Sequence, residues 1–504
     1  MVFIYDEFYL RNKSNSILLI FTYLSIISGF FFTFNIKLIL QMFPYFNKDI
    51  IVAPITAEGH SAIAVIRLSG QNSISLCSLV FSNKKILKSN SHTIHYGFIT
   101  DNNKPIDEVM VSIFLAPKSF TTEESVEISC HGSPIIVNEI INLLVRKGAR
   151  NAYPGEFSFR AFINGRIDLS QAEAIADIIA SESKAAYQLA LDNLRGGVSS
   201  KLKELRQSLI DFTALIELEL DFGEEDVEFA DREKLNGLLN TLLDEINLLI
   251  QSFNYGNALK NGVKVAIAGR PNAGKSSWIN ALAQDEIAIV SDIAGTTRDK
   301  IETTLQINGV LFRLIDTAGI RETEDTIEKI GVKKAMEAVE SSNILLYIFD
   351  VNDFSLEMLE QDIEKIIQNK SLSTIIIANK SDLIAERLEK VKNNYSAHNN
   401  ILFLSAKKET DVIELKETLF NHFKNEFAST EQSTILTNSR HVESLEKAYK
   451  NLLKAQTALH DGLSGDLLSQ DLKVVLKSIG EITGDIDVDT DILSSIFGRF
   501  CIGK

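Results

Sequence analysis

Residues 263–276 read Val263-Lys-Val-Ala-Ile-Ala-Gly-Arg-Pro-Asn-Ala-Gly-Lys-Ser276. The first six form an apolar run of the kind that makes a strand buried on both faces of a parallel sheet. The last eight satisfy G-x-x-x-x-G-K-[ST] and lead into a helical pattern, which is the strand, loop and helix context the motif requires. Its glycines let backbone N–H groups turn inward onto phosphate oxygens, Lys275 reaches the β- and γ-phosphates, and the Ser276 hydroxyl is a Mg²⁺ ligand. Asn272, Ala273, Gly274 and Ser277 complete this candidate phosphate loop. A plain turn is the weaker reading because of the strand before it.

Working outward, other apolar runs end in polar signatures. Phe312–Asp316 runs into Thr317-Ala318-Gly319, and Ile344–Phe349 into Asp350. Thr374–Ala378 runs into Asn379-Lys380-Ser381-Asp382, and Ile401–Leu404 into Ser405-Ala406-Lys407. Open parallel sheets bind ligands at the carboxyl ends of their strands, where these signatures fall. Asp316 would bind Mg²⁺ directly or through water, and the Gly319 N–H would bond the γ-phosphate. The Asp382 carboxylate can accept both N1–H and N2–H of guanine, whereas adenine offers no such pair of donors. In this order and spacing the pieces specify GTP, not ATP.

Two details refine the expected hydrolysis. Gly319 is followed by Ile320, which cannot orient an attacking water as the glutamine of Ras-like enzymes does. The stretch Ser291-Asp292-Ile293-Ala294-Gly295-Thr296-Thr297 fits a first switch, with Thr297 as the second Mg²⁺ hydroxyl. Its carbonyls and hydroxyls, with Asn272, could hold a monovalent cation beside the β- and γ-phosphates in place of an arginine finger.

The whole chain is 504 residues and 56.1 kDa, 45% hydrophobic and 23% charged, which excludes collagen-like and largely disordered readings. A net charge of -16 means the bulk surface repels polyanions, so nucleic-acid contact is confined to a local basic patch. Cys77, Cys130 and Cys501 are too far apart for a disulfide framework or a Cys-rich zinc cluster, which suits a reducing compartment.

Ile50–Val52, Ala62–Ile66, Asp107–Leu115 and Val126–Ser129 read as strands, and Pro134–Val145 as a helix closed by Gly148. His131 reads as a turn residue. This gives an N-terminal α/β domain over 47–165. Gln171–Leu194 is Ala-rich without Pro or Gly, and Leu202, Leu205, Leu209, Phe212 and Ile216 form a helix-packing seam. A second series, Leu235 to Leu249, and a third, Leu445, Tyr449, Leu452 and Leu459, have the same character. Neither half holds enough apolar surface to stand alone. The expected fold is therefore multidomain α/β plus α: the N-terminal domain, a discontinuous helical domain (166–258 and 428–504), and a P-loop, Ras-like GTPase domain inserted over 260–427.

Residues 1–41 differ: they hold seven of the 29 phenylalanines, and Ile17–Phe34 is an uncharged run of 18 residues, at the lower edge of what spans a bilayer. A transmembrane anchor, a signal segment, and translated sequence upstream of a start at Met42 are open readings. The run is longer than a signal h-region and lacks an A-x-A-like cleavage site, which weighs against secretion. The text after Met42 reads as an intact cytosolic protein, so the favoured expectation is a start there, a cytoplasmic location and no stable membrane association.

Together these residues closely resemble the MnmE (TrmE) family of tRNA-modification GTPases. The resemblance covers 47–504. It rests on Gly269–Ser277 and also on Ile51-Val-Ala-Pro54, Arg67-Leu-Ser-Gly70, Pro154-Gly-Glu-Phe-Ser-Phe-Arg-Ala-Phe162, Asp168-Leu-Ser-Gln-Ala-Glu-Ala-Ile-Ala176 and the terminal Phe500-Cys-Ile-Gly-Lys504. It implies an N-terminal folate-binding and dimerising domain in which Arg67, Glu127, Arg166 and Lys504 contact 5-formyl- or methylene-tetrahydrofolate. One departure is Arg166 in place of a lysine, and a planar fork does not replace a point charge neutrally. The resemblance further implies K⁺ activation through Asn272, Ser291, Ile293 and Thr296, a glutamate, Glu328, that orients water indirectly, and a tail thiol, Cys501, near the modification chemistry. The implied partners are a second copy of the chain, the FAD-dependent MnmG (GidA) in a heterotetramer, and tRNA, whose wobble uridine receives an aminomethyl or carboxymethylaminomethyl group at C5. A ribosome-assembly GTPase of the Era or EngA type shares the GTPase motifs, but no G-x-x-G loop suits a KH-like module. A membrane-tethered GTPase would need several spans where one candidate exists.

Overall fold

The computed structural model describes residues 49–221, 232–284, 302–316, 338–352, 356–367, 372–387, 391–392, 401–426, 434–461, 465–485, 493, 496–498, 500 and 503. Two compact units divide the chain, one running to Glu173 and resuming at Gly484, the other spanning Ala174–Thr483. Among the described residues no helix is long and apolar enough to cross a membrane; Ile17–Phe34 lies outside them.

The first unit contains β1 (Ile51–Pro54), β2 (Ser61–Ser69), α1 (Ser73–Val80), β3 (Thr93–Asp101), β4 (Lys104–Phe114), β5 (Ser125–Gly132), α2 (Pro134–Arg146), β6 (Arg150–Asn151) and α3 (Glu156–Ile163). Helix α4 (Leu169–Ala180) crosses into the second unit. The strands form one sheet in the order β3-β4-β5-β2-β1-β6, antiparallel except where β1 meets β6. Alternation sends Ala64, Ile66 and Leu68 into a core with Val111, Ile113, Val126 and Ile128, against which α2 packs Ile140, Leu143 and Leu144. The same alternation puts Arg67 on the opposite face, directly across from Glu127. α2 begins where Pro134 takes the first turn, a position that needs no N–H. The described part of the tail belongs to this unit: Phe497 meets Phe159 edge-on at 5.3 Å.

The second unit continues with α5 (Lys184–Leu194), α6 (Gly197–Asp221) and α7 (Arg232–Asn261). The alanine-rich stretch Gln171–Leu194 holds two helices: α4 ends at Ala180, and the Ser183 hydroxyl accepts from the Ala186 N–H at 3.1 Å and so caps α5. An α/β region follows: β7 (Val263–Ala268), α8 (Lys275–Ala283), β8 (Glu302–Ile307), β9 (Val310–Asp316), β10 (Ile344–Asp350), α9 (Leu356–Ile367), β11 (Ser373–Asn379), β12 (Ile401–Phe403) and α10 (Glu409–Glu426). The chain returns to α11 (Ser439–His460) and α12 (Gly465–Thr483). Leu202, Leu205 and Leu209 of α6 share one core with Leu239, Leu242 and Ile246 of α7, Leu445 and Leu452 of α11, and Leu472 and Ile479 of α12. The second sheet runs β12-β11-β10-β7-β9-β8, parallel except for the β8–β9 hairpin. Asn308 (φ 51) and Gly309 (φ 82) turn that hairpin in the left-handed region, as a two-residue loop requires.

Candidate functional site

β7 lies between β9 and β10, so its carboxyl end opens at the centre of the sheet. There the chain turns through Gly269 (φ 145), where a Cβ would meet the Ile348 carbonyl oxygen at 2.0 Å. Asn272 also takes a left-handed backbone (φ 65), which asparagine tolerates better than most residues. Gly274 (φ 94) caps α8, and a Cβ on it would lie 2.2 Å from Asn379 Nδ2. Lys275 is buried, its ammonium donating to the carbonyls of Gly269 (2.9 Å) and Arg270 (2.8 Å). Ser276 and Ser277 occupy the first turn of α8, whose N-terminal N–H groups and dipole favour an anion.

The neighbouring strand ends converge on this loop. Asp316 closes β9 in register with Ile267 of β7, and Asp350 closes β10 opposite Asn379 of β11. Asn379, 3% exposed, donates Nδ2 to the Ala273 carbonyl at 2.8 Å and so ties the Asn-Lys-x-Asp turn to the glycine-rich loop. Lys380 adopts a left-handed backbone (φ 63), a strain held in place by its 2.5 Å ion pair with Asp350. Burial works against the Asp350 carboxylate, yet the Lys380 ammonium and the Asn352 donors hold its pKa below the ordinary value. The Asp382 carboxylate accepts from the buried Ser405 hydroxyl at 2.7 Å, and the Ser405 N–H donates to Asp411 at 2.8 Å. Lys407 stands 4.0 Å from Asp382 and is 81% exposed, while Ser381 and Ala406 complete the two turns. Ser291, Asp292, Ile293, Ala294, Gly295, Thr296, Thr297, Thr317, Ala318, Gly319, Glu328, Cys501 and Lys504 lie outside the described residues.

A second concave site sits within the first unit. Arg67 donates Nε (2.9 Å) and Nη2 (2.7 Å) to the same oxygen of Glu127, Oε1. The Arg67 guanidinium lies over the Phe120 ring at 5.2 Å and the Phe157 ring at 5.5 Å, and Arg166 lies over Phe120 at 5.2 Å while donating to the Ser119 carbonyl. Arg67, Glu127, Phe120 and Arg166 line one cavity of about 600 Å³, joined by His92, Lys118 and Asn164, while Phe157 is buried beneath it. Three of the four residues that the family resemblance singled out are therefore brought together. The tail approaches the adjacent strand: at Gly503 (φ 98) a Cβ would lie 1.9 Å from the Pro54 carbonyl oxygen.

Among the described residues the two cysteines are buried. Burial pushes the Cys77 thiol up to about 12, and Cys130 up to about 11, so both are neutral near neutrality. His131 closes β5 instead of forming a turn, and its hydrogen bond to Asp107 at 2.7 Å raises its pKa. Among the described residues no group of three or more His, Cys, Asp or Glu side chains is placed to hold a metal ion. Sequence reasoning missed Phe120, His92 and Lys118, which reach the cavity from loops, and the Arg270–Asp362 pair, whose members are 92 residues apart. The one available signal was Arg270 itself, a cation inside a phosphate loop.

A glycine-rich phosphate loop on the central strand of a parallel sheet, tied by Asn379 to an Asn-Lys-x-Asp turn, defines a P-loop GTPase domain. The flanking regions specify which one. The family model described as GTP-binding protein TrmE N-terminus matches residues 50–166, and that of the MnmE helical domain matches residues 169–501. A "tRNA modification GTPase MnmE" of Cytophaga hutchinsonii is 47% identical over 458 residues, 91% of this chain and 98% of that relative. Its counterpart in Flavobacterium psychrophilum is 49% identical over 462 residues, 90% and 99% of the two chains. The chain belongs to the MnmE family of tRNA modification GTPases. A solved complex of Era with MgGDPNP and 16S ribosomal RNA is 24% identical, covering 38% of this chain and 66% of that one, and its TM-score of 0.27 adds nothing to the assignment.

Proposed function

We propose that this chain hydrolyses GTP and that, with an FAD-dependent MnmG partner, it adds an aminomethyl or carboxymethylaminomethyl group to C5 of the wobble uridine of certain tRNAs, using a tetrahydrofolate one-carbon unit. The observation that carries this reading is the joint presence, in one chain of this family, of the guanine-type phosphate-loop site and the cationic cavity of Arg67, Glu127 and Arg166.

On the nucleotide side, Lys275 and the first turn of α8 bind phosphate oxygens, and Asp382 accepts the guanine N–H pair. Ser276, Thr297 and Asp316 would hold Mg²⁺, and Asn272, Ser291, Ile293 and Thr296 would hold K⁺. These ions supply positive charge against the phosphates, and the Ser276 position at the start of α8 suits the first of them. Glu328 orients the attacking water, a task Ile320 cannot perform. In the cavity, both Arg67 donors go to Glu127 Oε1, which leaves Oε2 to accept from a pterin edge, and Arg166 with Lys504 meets the anionic glutamate end. Cys501 acts at the modification chemistry. The N-terminal unit dimerises.

Mass spectrometry of wobble uridines tests this in a strain lacking the chain. Restoring the full chain should restore the modified uridine, and the Cys501→Ser variant should not, although it still hydrolyses GTP. Unchanged uridines in the deletion strain would refute the proposed function.

A further inference from the structure

Arg270 follows the first glycine of the phosphate loop, where a cation would be expected to face the phosphates. Its guanidinium is engaged elsewhere. Nε donates to Asp362 Oδ2 at 2.7 Å and Nη2 to Oδ1 at 3.0 Å, a fork on a carboxylate of α9. The Tyr347 hydroxyl, from β10 and with its side chain 1% exposed, donates to the same Oδ2 at 2.7 Å. Asp362, itself only 16% exposed, thus receives three donors from the phosphate loop and from the strand paired with β7.

The main chain of the same arginine is the floor of the loop. Its carbonyl accepts from the Lys275 ammonium at 2.8 Å and from the Ala273 N–H at 3.4 Å. On its other side Gly269 is pressed against the Ile348 carbonyl, so this end of the loop has little room to shift. A fork fixed on α9 and a carbonyl fixed on Lys275 belong to one residue. Releasing the fork frees the torsions that aim the carbonyl.

We propose that Asp362 is a positioning residue for the phosphate loop: it holds the Arg270 fork, Tyr347 fixes its carboxylate, and together they set the Arg270 carbonyl and hence the place of Lys275 and the loop N–H groups. This rests on the reading of the site as a GTP site. An isolated exposed ion pair contributes little, but this one is bidentate, shares a third donor with a buried ring, and pre-orders a glycine-containing loop whose disorder would lower the binding-competent fraction. Asp362 touches no substrate in this scheme, so its loss weakens ground-state and transition-state binding alike.

The full chain can be titrated with GDP by calorimetry and assayed for GTP turnover. Asp362→Ala should weaken GDP binding about tenfold and raise KM by a similar factor, with kcat kept within about twofold. Tyr347→Phe, which keeps the ring, should give a smaller loss in the same direction. Combining Arg270→Lys with Asp362→Ala should cost no more than the larger single change, because both break one contact. Unchanged GDP affinity in Asp362→Ala, additive effects, or a fall in kcat at constant KM would overturn the proposal. If Asp362→Ala fails to fold, Tyr347→Phe decides alone, and wild-type GDP affinity there overturns it. A wild-type chain that binds no GDP would instead overturn the GTP reading, and the positioning role with it.

Discussion

Replacing Gly274 by alanine places a methyl group where the Asn379 amide stands. The added Cβ would lie 2.2 Å from Nδ2, and the backbone at φ 94 is one that L residues resist. The left-handed conformation costs a non-glycine residue about 1–2 kcal/mol. Displacing Asn379 breaks its 2.8 Å bond to the Ala273 carbonyl, worth about 1 kcal/mol. The sum is about 2–3 kcal/mol, or about 30- to 140-fold in an equilibrium constant. If the loop holds its shape the loss appears as stability; if the loop yields, it appears as nucleotide affinity. Denaturant unfolding and GDP calorimetry on the same variant measure both. Gly237→Ala serves as the control, since that helical glycine has nothing within 4 Å of an added Cβ and alanine should stabilise by about 0.5–1 kcal/mol. A Gly274→Ala chain with GDP affinity within about threefold of wild type and an unshifted unfolding midpoint would refute the reasoning.

Three further outcomes are expected. Asp382→Asn should lower GTP affinity by at least about 100-fold and favour xanthosine triphosphate, whose edge offers an acceptor where guanine has a donor; competition binding reads this, and unaltered GTP preference would remove Asp382 from base recognition. Arg166→Ala should weaken 5-formyl-tetrahydrofolate binding about tenfold by removing a charge-assisted contact while leaving GDP binding intact, and equal loss of both ligands would indicate misfolding instead. With pKa values raised to about 12 and about 11, Cys77 and Cys130 remain protonated at about pH 8 and gain thiolate only as the pH climbs toward those values. Peptide mapping after iodoacetamide treatment at that pH should find both unlabelled, and labelling of either at the rate of a free thiol would contradict their burial.

The nucleotide site was legible because its parts are local. Each signature occupies a few consecutive residues at the end of an apolar run, and the parallel sheet alone brings Asn379 to Ala273 across 106 residues. The cavity was not legible that way. Arg67 and Glu127 are 60 residues apart and meet only through the β2–β5 register, so family resemblance found them where periodicity could not. Phe120, His92 and Lys118 come from loops and carry no pattern that points to a ligand. Asn308-Gly309 was an available hairpin signal between two strands, of which only Phe312–Asp316 was read. Ser183 has the chemistry of a helix cap, but the alanine-rich text on either side of it carries no Pro or Gly to mark a boundary there.

GTP turnover by the purified full chain, compared with ATP turnover and with K⁺ exchanged for Na⁺, decides whether this protein is a cation-activated GTPase. Phosphate should be released from GTP and not from ATP, much faster in K⁺ than in Na⁺. Hydrolysis of ATP at a comparable rate, or no GTP hydrolysis in either salt, would contradict that assignment.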